Sequence, residues 1–304
     1  MKPKIIIICG PTGVGKTSAA IKLSQKFTGE IIGADSMQIY RKMDIGTAKP
    51  TRTEQADVPH HMIDVANPDE QFDAALFAEK ADHIINSLIS RGITPFIVGG
   101  TGLYIKALMH GLSGARPAAR EVLKRLKNEA EKYGSDDLHR RLSECDPKTA
   151  EKIHPNDTFR ITRALEIFEV TGKPISAFHD EHQFSEKKYR ALKICIMTER
   201  EKLYKRINRR VDIMIEEGFL NEVKMLLKKG YSPDLKSMQS LGYRHMAEYI
   251  AGKISWDEAL DTMKRDTRRY AKRQLTWFKA DNEMKWFTPD QIEQMQNEIE
   301  IFLH

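Results

Sequence analysis

The chain opens on an unbroken apolar run, Ile5-Ile6-Ile7-Ile8-Cys9, with no polar alternation. A strand of that kind is buried on both faces, as the strands of a parallel sheet are. A helical pattern with Ala19, Ala20, Ile21 and Leu23 follows from about Lys16. Two more short runs come later, Glu30-Ile31-Ile32-Gly33-Ala34 and Thr94-Pro95-Phe96-Ile97-Val98. Before the last of them Leu76, Phe77, Ala81, Ile84, Ile85, Leu88 and Ile89 fall at helical spacing, and Gly92 stands where a C-cap belongs. Strands alternating with helices in this way predict an α/β core on a parallel sheet.

The period changes at Gly111-Leu112-Ser113-Gly114, which reads as a flexible junction. From 115 to 189 no strand is predicted; Leu138, Leu142, Ile153, Phe159, Ile161, Leu165 and Ile167 give thin apolar faces to short, charged helices. Leu192 to Met197 then reads as a strand returning to the sheet, and Glu199 to about Ala280 is helical again. Residues 1–114 and 190–304 therefore form one core with a helical C-terminal part, and 115–189 an all-helical insertion.

Composition narrows the picture. A chain of 304 residues with 40% hydrophobic content can bury a sizeable core. Its formal net charge of +6 leans toward a polyanionic partner. The excess is local: Arg200 to Lys279 carries 19 Lys/Arg against 11 Asp/Glu. Within it Lys264, Arg268 and Lys272, and beside them Arg265, Arg269 and Arg273, recur every four residues as a basic helical stripe. Met263, Tyr270 and Phe278 are expected to pack on another face of that helix, and Trp256, Trp277 and Trp286 to be packing anchors. Basic helix faces also occur as plain solvated surfaces, which is the competing reading. Cys9, Cys145 and Cys195 show no CxxC pairing, so a reducing cytoplasm fits. The first apolar run is too short for a signal or a membrane span.

The sharpest local signal is Gly10-Pro11-Thr12-Gly13-Val14-Gly15-Lys16-Thr17, a GxxxxGK[ST] turn between the first strand and the first helix. Its amides converge on an anion at a helix N-terminus, Lys16 reaches the terminal phosphate oxygens, and the Thr17 hydroxyl is placed to ligate Mg²⁺. The fold predicted is accordingly a P-loop NTPase-like parallel sheet flanked by helices. A P-loop specifies a bound di- or triphosphate and no reaction. The later strand Phe96-Ile97-Val98 runs into Gly99-Gly100-Thr101-Gly102-Leu103-Tyr104 with no magnesium-holding acid. The first carboxylate facing the loop is Asp35, at the carboxyl end of the second strand, where ligands of such sheets lie. Asp35 reads either as a base receiving a proton from a nucleophile or as a turn-capping residue. His60-His61 reads as packing rather than a zinc pair, having no cysteine partner near.

Five stretches together, Gly10 to Thr17, Ala34-Asp35-Ser36-Met37-Gln38-Ile39-Tyr40, Met43 to Pro50, Val58 to Asp64 and Val98 to Tyr104, resemble the tRNA dimethylallyltransferase family. His154-Pro155-Asn156-Asp157 with Arg160 and Arg163, then Arg210, Gly218, Glu222, Val223 and Leu241-Gly242-Tyr243-Arg244, continue the match in order. The resemblance implies transfer of a dimethylallyl group from its diphosphate to N6 of adenosine 37 in tRNAs that read codons starting with U. It implies Mg²⁺ as cofactor, the P-loop and Arg210 on the diphosphate, Lys16 beside them, Asp35 as the base and Thr101 positioning N6. It further implies tRNA contacts from Asp35, Ser36, Met37, Gln38, Thr101, Phe159, Arg160, Arg163, Gly242, Tyr243 and Arg244, with the insertion over the anticodon stem-loop. A cytoplasmic monomer with no membrane attachment is expected. Three rivals stay open at this point: an isopentenyltransferase of free adenine nucleotides, a small-molecule P-loop kinase, and a non-catalytic RNA-binding protein switched by a nucleotide.

Overall fold

The computed structural model describes residues 2–111, 120–182 and 187–304. The chain runs β1 (Lys4–Cys9), α1 (Lys16–Lys26), β2 (Gly29–Gly33), α2 (Arg52–Asp57), β3 (His60–His61), α3 (Ala74–Ser90), β4 (Thr94–Gly99) and α4 (Gly102–His110). Five helices follow, α5 (Arg120–Tyr133), α6 (Ser135–Cys145), α7 (Pro147–Ala150), α8 (Thr158–Thr171) and α9 (Ile175–His182). Then come β5 (Arg190–Ile196), α10 (Arg200–Glu216), α11 (Phe219–Lys228), α12 (Tyr243–Ile250), α13 (Trp256–Lys279), β6 (Lys285–Phe287) and α14 (Ile292–Leu303).

The six strands form one sheet in the order β3-β2-β4-β1-β5-β6, every pairing parallel. The α/β class and the parallel sheet read from the apolar runs are found. Ile5, Ile6, Ile7 and Ile8 of the central β1 are all fully buried. At about 1.5–3 kcal/mol per buried aliphatic side chain, this strand alone is comparable to the net stability of a domain. On one face its side chains join a core with Leu23 of α1, Leu203 and Ile207 of α10, Ala271 of α13 and Ile299 of α14. Helix α3 buries Phe77, Ala81, Ile85 and Leu88 and packs on β2 and β4. Two edge strands, β3 and β6, were not expected. They are two and three residues long and half exposed, so backbone pairing rather than an apolar pattern makes them.

The chain divides into two compact units, Met1–Met109 with Lys188–His304, and His110–Lys187. Three residues of the expected junction, 112–114, and the 114/115 boundary lie outside the described residues. The described residues of the second unit form helices joined by turns, with no strand, and Leu126, Leu138, Leu142, Ile161, Ala164 and Leu165 are in its core. Among the described residues no helix is long and apolar enough to cross a membrane.

A parallel sheet puts the carboxyl ends of its strands on one edge. Cys9 of β1 is level with Gly99 of β4, and Gly33 of β2 with Val98. The turns that follow these strands are therefore neighbours though some 90 positions separate the first from the last. Two glycines allow the approach. Gly10 has φ +145, and a Cβ there would lie 2.4 Å from the Ile196 carbonyl oxygen. A Cβ on Gly99 would lie 2.0 Å from the Ala34 oxygen. Gly10→Ala should cost about 3 kcal/mol or more, since strain and a backbone clash combine, whereas Gly92→Ala, with φ +71 and open space around it, should cost about 1–2 kcal/mol. Denaturant midpoints of the two variants measure the difference; equal losses would contradict the close-approach account.

Candidate active site

Three turns meet at this edge. After β1 the glycine-rich turn holds Gly13 at φ +81 and Gly15 at φ +102, so the chain reverses onto the start of α1 with its first amides unpaired by any side-chain cap. Such a terminus is an anion site by geometry and dipole. Lys16 donates from Nζ to the Pro11 carbonyl at 2.8 Å. Burial lowers its pKa from the usual lysine range to about 8; the Asp35 carboxylate opposes the fall and the Arg210 guanidinium adds to it.

After β2 comes Asp35, whose Oδ1 accepts the amides of Met37 at 2.9 Å and Gln38 at 3.3 Å. Turn-capping and facing the nest are thus not alternatives for this residue: one oxygen caps the turn, and the carboxylate lies close enough to Lys16 to act on its charge. After β4 the amide of Thr101 donates to the Ala34 oxygen at 3.1 Å, and Thr101 Oγ1 accepts the Ser36 amide at 3.0 Å. Thr101 and Asp35 are so fastened into one assembly by main-chain hydrogen bonds.

Two cavities open from these turns. The smaller, about 240 Å³, is lined by Gly13, Gly15, Lys16, Thr17, Gln38 and Glu54 among others. The larger, about 570 Å³, is lined by Ser36, Met37, Arg244, Arg269 and Arg273 among others. Thr12, Asp35, Thr47, Ala48, Arg210 and Tyr270 line both, so the two meet along a common wall. Arg210 reaches this wall from α10, and burial lowers its pKa, with Glu54 opposing. Of the sequence-predicted residues, the P-loop, Asp35, Ser36, Met37, Gln38, Thr101, Arg210 and Arg244 are brought together on one edge. Phe159, Arg160 and Arg163 stand on α8 of the second unit, where Phe159 is 80% exposed, Arg160 meets Asp157 at 3.3 Å and Arg163 meets Glu166 at 2.8 Å.

Tyr270 departs from expectation. Read as a packing residue of the basic helix, it lines both cavities instead, with its hydroxyl interacting with Thr101 and Gln274. Burial, and next the Asp35 charge, push that hydroxyl's pKa up to about 12. Gln274, one turn on, donates to the Gly100 oxygen at 2.9 Å and accepts the Thr12 amide at 2.9 Å, tying the P-loop to the turn that carries Thr101. An uncharged polar Gln274 four residues after Tyr270, on the same helix face, was the available signal, masked by the arginines and lysines around it. The stripe itself is divided. Lys264 pairs with Asp212 and Arg268 with Asn208, both on α10, while Arg269 and Arg273 line the larger cavity. Trp277, though 47% exposed, packs α13 on α4: it lies against Gly102, where a Cβ would meet its indole nitrogen at 2.1 Å.

Tyr243 lines the larger cavity, while its side chain is buried and its hydroxyl donates to Glu222 at 2.6 Å. Glu222, 8% exposed, also accepts the amides of Asp44 at 2.9 Å, Ile45 at 2.8 Å and Gly46 at 3.2 Å. The same loop is held from its other side by Gln38 Nε2, which donates to the oxygens of Thr47 at 3.2 Å and Ala48 at 3.1 Å. Gly46 leaves room for this: a Cβ would lie 2.2 Å from Phe219. Gly242, at φ +85, lets α12 start against Phe219 and Met263. Of these residues Gly46, Thr47, Ala48 and Tyr243 line the larger cavity, and Glu222 holds Gly46 and Tyr243 from behind.

Comparison with known proteins agrees with the site. The family profile described as IPP transferase matches residues 38–281, and one described as isopentenyl transferase matches 3–67. The chain is 59% identical over 285 residues to the tRNA dimethylallyltransferase of Desulfosudis oleivorans, covering 94% of this chain and 91% of that protein. It is 51% identical to the tRNA dimethylallyltransferase of Desulfatibacillum aliphaticivorans, with 99% of both chains covered. Among solved structures, the full-length tRNA isopentenylpyrophosphate transferase of Bacillus halodurans superimposes with TM-score 0.74 at 43% identity, over 99% of this chain and 97% of that one. A eukaryotic dimethylallyltransferase acting on tRNA superimposes with TM-score 0.79 at 31% identity, over 94% of this chain and 74% of that one.

The loop clamp is testable by stability. Tyr243→Phe removes one donor from Glu222 and should cost roughly 1.5–3 kcal/mol; Glu222→Leu leaves three amides and a hydroxyl without acceptor and should cost about 4 kcal/mol or more. Urea denaturation reads both, and limited proteolysis should cut the 43–49 loop in the second variant first. A Glu222→Leu protein as stable as the unaltered chain would remove the clamp.

Proposed function

Because the chain belongs to the IPP transferase family of tRNA dimethylallyltransferases, we propose that it moves the dimethylallyl group of dimethylallyl diphosphate onto N6 of adenosine 37 of tRNA. The observation that carries the reading is the shared wall: one carboxylate, Asp35, borders both an anion nest and a larger cavity rimmed by arginines.

In this reading the diphosphate lies at the Gly13–Thr17 amides with Lys16 and Arg210 on its oxygens, since a guanidinium forks across two of them. The adenine enters the larger cavity splayed out of its loop, as bases that undergo chemistry are. The N6 lone pair forms the new bond to the terminal allylic carbon while the carbon–oxygen bond breaks, and its electron pair leaves with the diphosphate. Negative charge grows on the bridging oxygen, where the buried cations stabilise it. The N6 proton passes to Asp35, through Oδ2, because Oδ1 already accepts two amides. Thr101, fixed by the Ser36 amide, orients N6. Arg244, Arg269 and Arg273 meet the RNA backbone, and Phe159, Arg160 and Arg163 of the insertion contact the anticodon stem-loop.

Mg²⁺ belongs to the same proposal. Among the described residues no three His, Cys, Asp or Glu side chains gather to hold a metal. Thr17 lines the small cavity, a donor set that fits an ion held chiefly by substrate phosphates. When bound it neutralises phosphate charge. A cytoplasmic location and tRNAs reading codons that start with U complete the reading.

Incubation with unmodified anticodon stem-loop, Mg²⁺ and dimethylallyl diphosphate should add one C5H8 unit to that adenosine by mass spectrometry. Prenylation of AMP with none of RNA would overturn the RNA assignment. Asp35→Asn should lower kcat by about 10²–10⁴ with tRNA binding retained; full turnover would remove the base. A pH effect follows from Lys16. Its ammonium is the form that binds an anion, and in the free protein it is lost as pH rises through about 8. Donor affinity should hold below that point and fall by up to about tenfold per pH unit above it. Lys16→Arg should abolish the fall, and isothermal titration across the range reads it.

A further inference from the structure

Six residues line both cavities, and among them Tyr270 is the one aromatic. Lys16 lies on the small-cavity side, and Asp35 and Arg210 stand on the common wall itself. If the donor and acceptor lie as proposed above, the carbon that changes partners must cross that wall. Positive charge develops on this carbon as the diphosphate departs. The only full charges of the wall are already committed, Arg210 being a cation and Asp35 the proton acceptor. What remains to face the carbon is the Tyr270 ring, whose quadrupole presents a negative face.

Two features equip the ring for this. Its hydroxyl stands beside Thr101 and Gln274, and Gln274 accepts the Thr12 amide and donates to the Gly100 oxygen, so the ring sits where the P-loop and the turn of Thr101 are joined. The ring already carries a cation: the Arg273 guanidinium lies over it, 5.7 Å from the centroid. Arg273 lines the larger cavity and not the smaller one, whereas Tyr270 lines both. Because the phenol's pKa is pushed up to about 12, the ring stays neutral across the working range and does not add a second anion beside Asp35.

We propose that the Tyr270 ring stabilises the positive charge that the dimethylallyl group carries in the transition state, and is a catalytic residue of this transfer. The proposal rests on the donor assignment of the preceding section.

The test replaces Tyr270 by phenylalanine and by mono-, di- and trifluorophenylalanine, which keep the ring's shape and withdraw its face charge step by step. The readout is the single-turnover rate of prenyl transfer at saturating donor, beside donor affinity. Tyr270→Phe should keep most of the rate. Each added fluorine should lower it, to about a tenfold total loss, while donor affinity stays level. Tyr270→Leu, checked by its melting curve, should lose at least as much as the trifluoro variant. A flat series, a loss confined to donor affinity, or a leucine variant as fast as phenylalanine would each overturn the proposal. A flat series in an active protein removes the ring's role alone; no donor-dependent transfer by the unaltered protein removes the donor assignment and this proposal with it.

Discussion

Positive charge withdrawn from water is the constraint on which this site depends. Lys16 and Arg210 are both held where burial works against their charged forms. An uncompensated buried cation is costly. Asp35 offsets part of that cost for Lys16, and Glu54 part for Arg210. Neither acid forms an ion pair with its cation in the free protein, so the compensation is incomplete until an anion arrives. A ligand with several negative oxygens completes it. Without such a ligand the cations beside the glycine-rich turn stay under-compensated, and Lys16 falls back on the Pro11 carbonyl.

How much of this the sequence revealed depends on whether the requirement was local. The nest was legible because glycine at Gly10, Gly13 and Gly15 answers a demand that those positions make by themselves, positive φ and close approach. The central strands were legible because burial on both faces admits no polar residue. Edge strands β3 and β6 were not, since a strand of two or three residues held by one neighbour leaves no periodic trace. Asp35 was legible as a position but carried two readings; the structure shows the turn cap and puts the same carboxylate on the wall of both cavities.

Helix α13 shows why helical period alone misleads. Its basic residues recur every four positions, so any of several faces reads as one stripe. The helix in fact packs against α10 and α12 at once. Lys264 and Arg268 are taken up by α10, whereas Arg269 and Arg273 remain at the cavity with Tyr270. Which row meets solvent and which meets a neighbour is decided by tertiary packing. Shared motifs mislead in another way. They mark positions a family needs without saying what each side chain touches, and Tyr243, within the Leu241-Gly242-Tyr243-Arg244 motif, proves to brace Glu222 in the interior.

That interior brace bears on the chemistry. An allylic carbon poised to leave its diphosphate reacts with water as readily as with an amine unless the walls exclude it. The wall at Thr47 and Ala48 borders both cavities, yet it is loop, the kind of segment that ordinarily moves. Here it is pinned from two directions, by Glu222 through the amides of residues 44–46 and by Gln38 through the carbonyls of 47 and 48. Gln38 belongs to the turn that Asp35 caps, so the wall and the carboxylate proposed as the base share one support. Loosening the loop would therefore admit water and misplace the carboxylate together. Elsewhere on the common wall Tyr270 stands beside Gln274, which joins the P-loop to the turn of Thr101 through the Thr12 amide and the Gly100 oxygen. In the proposed reading both substrates thus meet surfaces whose positions are fixed by the other's binding elements, which is how a site assembled from distant turns keeps a reactive carbon facing one nucleophile.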